Sequence, residues 1–144
     1  MTHELSPDDT AFRLAFEEGR VTPDAFSHRG HVRLAYVYLV ESDTDTACAR
    51  MREALRGFIQ RWEIPPAKYH ETLTRAWILA VRHFMERSPQ TPDADAFITA
   101  NPMLLDTQIM MTHYSAALLF SPEARGEFVE PDVSPIPRHP ERGR

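Results

Sequence analysis

The sequence predicts an all-α protein, a single-domain bundle of about five to six helices closed by a proline-rich C-terminal strap. Three observations carry this. Apolar residues recur at three-and-four spacing in successive windows. Ser, Thr or Asp precedes most of these windows, and proline or glycine follows several. The stretch FVEPDVSPIPRHP holds too many prolines to continue a helix.

The elements follow in order. Ser6 caps a first helix, Pro7 suits its first position, and Asp8 and Asp9 lie at its positive end. Phe12, Ala15 and Phe16 form its apolar side, and Gly19 suits its end. Thr22-Pro23-Asp24 turns the chain. A second helix opens near Ser27, with a stripe of Val32, Ala35, Tyr36 and Leu39. VRLAYVYLV has the β-branched and aromatic content of a strand, but its helical neighbours favour a helix. The third runs from Thr44 to Trp62, with Met51, Leu55, Phe58 and Ile59 inward, and Pro65-Pro66 ends it. The fourth starts at Lys68 to His70 and runs to Glu86, with His70, Leu73, Trp77 and Phe84 on its stripe. A short fifth, DADAFITA, leads to Asn101-Pro102. The sixth, MLLDTQIMMTHYSAALLF, is apolar nearly all round, which predicts the central helix. Phe128, Val129 and Ile136 are expected to strap the irregular end across the bundle. Residues 1–137 then form one domain and 138–144 a disordered tail.

Composition narrows the function. Apolar content of 42% and charged content of 26% are those of a globular domain, and 144 residues can bury one core. A net charge of −5 argues against a general nucleic-acid or anionic-membrane binder. No apolar run approaches the ~20 residues of a membrane span. The opening MTHELSPDDT is polar and acidic, unlike a signal peptide, so the expected compartment is the cytoplasm. Cys48 is the one cysteine, which leaves no internal disulfide and no cysteine zinc cluster. Five scattered glycines make no phosphate loop, and Ser115 has no evident base partner.

Two openings stand out. In FSHRGHVRLAYVYL, residues 26–39, His28 and His31 share a helix face with residues 35 and 39. In KYHETLTRAW, His70 leads another buried stripe. Two imidazoles three apart can share one metal ion, and His70 is the expected third ligand. Such donors suit divalent iron, zinc, copper or manganese. His-x-x-His carries less information than His-Glu-x-x-His, because it sets no base beside the ion. Glu71 stands about 100° round the helix from His70 and is expected to orient a ligand or move a proton. Tyr69 and Tyr114 join it in the expected catalytic set, and Arg33 and Lys68 are expected to bind an anionic substrate. Simpler roles stand beside these. Imidazoles at helix starts can bond loop carbonyls, Arg33 can form a salt bridge, Tyr114 can pack in the core, and Asp106 can cap. The coincidence of two helices opening with inward histidines favours a site, because burying imidazoles without partners is costly.

Phe26-Ser27-His28-Arg29-Gly30-His31-Val32-Arg33, Tyr69-His70-Glu71-Thr72 and the proline-rich stretch 121–137 together resemble a family of small bacterial all-helical proteins with no assigned activity. The likeness runs over residues 12–137 and implies a cytoplasmic, single-domain helical protein. That family carries tyrosine where this chain has His113, which lowers the weight of His113. The expected function is a metal-dependent enzyme acting on a small, anionic molecule. The alternatives are a metal-free acid–base enzyme and a non-catalytic module that binds a metabolite or a partner. The expected partner is a small-molecule substrate, with a homodimer compatible and neither nucleic acid nor membrane involved.

Overall fold

In the computed structural model, which describes residues 3–141, every α-helix starts at a side chain that accepts a hydrogen bond from the helix's first turn. Ser6 caps α1 (Pro7–Glu17), Ser27 caps α2 (His28–Glu41) and Asp43 caps α3 (Thr44–Arg61). His70 caps α4 (Glu71–Arg87) and Asp93 caps α5 (Ala94–Ala100). Ser115 and Ser121 cap the short α6 (Ala116–Leu119) and α7 (Pro122–Gly126). The described residues contain no strand, so VRLAYVYLV is helical.

The core lies where α2, α3 and α4 pack on one another, with α1 and α5 against α2. Helix α2 buries Val32 and all of residues 34–39, including the whole of Tyr36 and Tyr38. Helix α4 buries residues 76–81 without a break. These two are the central helices.

The expected central helix over 103–120 does not form. Its place is taken by two 3₁₀ turns, Pro102–Leu105 and Thr107–Thr112, followed by α6. The reason is a local competition for backbone donors. A continuous helix would give the Gln108 N–H to the Leu104 carbonyl. Here that N–H goes to the Asp106 carboxylate at 2.9 Å, and Ser115 restarts the chain at α6. The apolar residues serve one-sided burial instead. Leu104, Met110, Tyr114 and Leu119 are buried, whereas Met103, Leu105 and Phe120 are exposed.

The strap is fastened at both ends. Thr72 donates to the Glu127 carbonyl and accepts from Val129 N–H, while Tyr114 donates to the Val129 carbonyl at 2.6 Å. Residues 138–141, expected as a disordered tail, dock through Arg82, which donates to the Pro140 carbonyl and the Glu141 carboxylate. Residues 142–144 of that expected tail lie outside the described residues.

Two turns set where the helices point. Gly19, at φ 76°, ends α1 in the left-handed region, and a Cβ there would meet Arg61 Nε at 2.9 Å. Glu63 adopts φ 54° after α3, with Ile64 N–H returning to the Ile59 carbonyl at 2.9 Å.

Asp9 ties α1, α2 and α5 together. Its carboxylate is 2% exposed and accepts from Ser6 N–H, Ala94 N–H and Arg33 Nε, all within 3.1 Å. Arg33 is therefore a structural cation rather than the expected substrate binder. Burial pushes the Asp9 carboxyl up, but the Ala94 and Ser6 N–H groups and Arg33 outweigh it and hold it below the usual 3.8. Its stabilisation is present above that value and is lost as pH falls through the lowered one. Asp9→Asn should cost about 2–3 kcal/mol in urea unfolding at neutral pH. It should also flatten the acid limb of the stability profile. A loss under about 0.5 kcal/mol would contradict this.

Candidate functional site

Around the start of α2, the last turns of α3 and the approach to α4 lies a cavity of about 370 Å³. Its wall is mostly apolar: Phe26, Leu55, Phe58, Ile59, Ile64, Leu73 and Trp77. Its polar lining is His28, His31, Lys68, Tyr69, His70 and Thr74. The two histidine-bearing openings thus meet in one pocket. Phe26 is fixed against Phe58 and Phe16, with ring centroids 5.3 and 4.6 Å away. The Glu63 turn delivers Ile64, and the 3₁₀ turn Pro66–Lys68 delivers Lys68 and Tyr69.

The three imidazoles differ in what they have left to offer. His70 uses both nitrogens. Nδ1 accepts from Leu73 N–H at 3.1 Å, and Nε2–H donates to the Leu119 carbonyl at 2.7 Å. His28 donates Nε2–H to the Leu104 carbonyl at 2.9 Å, and its ring meets Trp77 edge-on at 4.6 Å. That tautomer leaves a lone pair on Nδ1. His31 lies nearly parallel to His28, with centroids 6.2 Å apart. Its ring has no hydrogen-bond partner among the described residues, only the neighbouring rings of Phe26 and His28. Burial, with the charge of His28 adding, pushes its pKa down to about 4, so it is neutral at physiological pH.

The expected metal centre is not assembled. Among the described residues, no three His, Cys, Asp or Glu side chains are grouped to hold an ion. His70 has no lone pair to give, and no carboxylate lines the cavity. His28 Nδ1 and His31 supply two donors where zinc takes three or four. The residues present therefore do not fit a three-histidine centre.

The expected catalytic residues are also committed. Arg52 grips Glu71 in a fork, Nε to Oε1 at 3.0 Å and Nη2 to Oε2 at 2.6 Å. Tyr69 donates to the same carboxylate at 2.6 Å. The Arg52 bond above all holds the Glu71 carboxyl below its usual range, and Glu71 is a saturated acceptor outside the cavity lining. Burial, then the bond to Glu71, pushes the Tyr69 hydroxyl up to about 12, and Tyr69 contributes its ring to the wall. Tyr114 does not reach the cavity. It is buried, holds the strap, and is pushed by burial up to about 12. Lys68 remains as the one cation of the described lining.

The wall that α3 and Trp77 supply was not foreseen as part of a site. Its signal was present, because Trp77 lies seven residues beyond His70 and shares its helix face.

The imidazole assignments can be ranked by stability. His70→Ala loses a cap and a buried bond and should cost about 2–3 kcal/mol in denaturant unfolding. His31→Ala has no bond to lose and should cost about 1 kcal/mol or less. The reverse order would contradict the assignment.

No protein-family model, curated protein or solved structure matches this chain.

Proposed function

We propose that this chain binds a small organic anion with an apolar body in the cavity between α2, α3 and α4, without a resident metal. The observation that carries this reading is the lining itself. An aromatic and aliphatic wall surrounds a neutral imidazole with both nitrogens uncommitted, and Lys68 alone brings a full positive charge. Such a pocket takes up apolar area and fixes orientation with a few polar groups. The ammonium would hold a carboxylate or phosphate. His31 would donate to or accept from a polar group further in, and His28 Nδ1 would accept a second donor.

A second reading adds chemistry to binding. A free imidazole beside the ligand can move one proton, with His31 taking it and His28 steadying the product. The adjacency of the two rings favours this reading. Glu71, Tyr69 and His70 are spent on structure, so any proton transfer falls to His31, with His28 Nδ1 as the other open nitrogen.

A thermal-shift screen of small aromatic and branched carboxylates and phosphate monoesters, run with EDTA present, tests the proposal. A binding anion should stabilise the wild type. Its affinity should fall at least about tenfold in Lys68→Ala and in His31→Ala, roughly 1.4 kcal/mol each. Arg33→Ala should bind normally. Equal affinity in Lys68→Ala, or stabilisation only when metal is supplied, would contradict the reading. Solvent deuterium entering the bound anion in wild type but not in His31→Ala would establish the second reading.

A further inference from the structure

Further along α4 from the cavity, His83 faces His139 of the tail. His83 Nδ1 and His139 Nε2 lie 2.9 Å apart, with the rings nearly parallel and centroids at 5.1 Å. At that distance one ring donates N–H and the other accepts. Pro140 and Glu141 make three more bonds beside this one. Arg82, only 8% exposed, donates to the Pro140 carbonyl at 2.8 Å and to Glu141 Oε2 at 3.0 Å. Thr44 N–H, at the start of α3, donates to Glu141 Oε1 at 2.8 Å.

The charges around the pair favour its neutral form. Arg82 and Arg87 stand on α4, His113 lies under the strap, and Arg138 precedes His139. The neighbouring carboxylates are committed. Glu86 and Glu141 pair with Arg82, Glu130 with Arg138, and Asp45 with Arg75.

We propose that the His83–His139 pair is a proton-operated latch, closed on the tail at neutral pH and open in acid. The latch stands apart from the cavity and does not depend on what binds there. Its first added proton leaves the bond intact, because an imidazolium can donate to a neutral imidazole. The second proton removes the acceptor and sets two cations against each other. The two steps belong to the pair, not to either ring.

The direction follows from the surroundings. Burial, then the charges of His139, Arg87 and His113, lower the His83 pKa from its usual 6.5. The latch therefore contributes stability above pH 6.5, and that contribution is lost as pH falls through the lowered value. Burial raises the Glu141 carboxyl, but Thr44 and Arg82 outweigh it and hold it below 4.5. Its ion pair with Arg82 has the carboxylate side chain 44% exposed and holds little alone. Opening uncovers Arg82 and the Thr44 N–H at the start of α3.

The test is an NMR titration of the full chain with EDTA present, from neutral pH down through the histidine range. It follows the His83 and His139 ring protons and the backbone amides of residues 139–141. The pair should titrate in two steps, with the lower step below 6.5 and coincident with collapse of the 139–141 amides to random-coil shifts. His139→Gln keeps a hydrogen-bonding group without a titrating one, so its tail should stay ordered through that step. His139→Ala should leave the tail open at neutral pH with α1 to α5 unchanged. Independent titration of both rings near 6.5 would overturn the latch. So would a tail still ordered after both rings are charged, or a His139→Gln tail that opens where the wild type does.

Discussion

His28 and His70 each donate Nε2–H to a main-chain carbonyl, that of Leu104 and that of Leu119. Residues 101–121 hold two 3₁₀ turns and the single turn of α6, and backbone outside long regular helix must find partners for its carbonyls elsewhere. The two imidazoles supply them. His70 does more, because its Nδ1 caps α4 while its Nε2 reaches across to Leu119. A serine cap could satisfy the first turn of α4 but would be too short to reach a second segment. One side chain therefore fixes both where α4 begins and where the end of α6 lies, and the cavity is the space left beside it.

The same bonds decide which chemistry remains. Glu71 is neutralised by Arg52, and Tyr69 is turned to Glu71. Tyr114 is given to the strap and Arg33 to Asp9. What is left facing the cavity is His31, the second nitrogen of His28 and the ammonium of Lys68. On the proposed reading, a pocket so furnished recognises an anion rather than assembling a multi-group catalytic centre.

Much of this was legible in the sequence because it is local. Ser6, Ser27 and Asp93 mark their helices, and His28 and His70 open the two that meet. The reading of imidazoles bonded to loop carbonyls, the simpler one for each residue alone, describes both His28 and His70. What the sequence concealed depends on distant partners. Arg33 finds Asp9 across 24 residues, and His83 finds His139 across 56. The failure of the 103–120 helix has another cause. Apolar content measures how much a segment buries, not which hydrogen-bond ladder it follows, and Asp106 and Ser115 divert backbone N–H groups that a helix would need.

The central claim is that His28 and His70 are structural donors while His31 is free. Imidazole ¹⁵N NMR during a zinc titration tests it most directly. The expected result is Nε2–H tautomers for His28 and His70, both protected from exchange, with His70 unmoved by zinc and His31 neutral and responsive to added ligand. Simultaneous loss of the His70 Nε2 proton and zinc-induced shifts in His28, His31 and His70 would contradict the claim and restore a metal centre at the opening of the two helices.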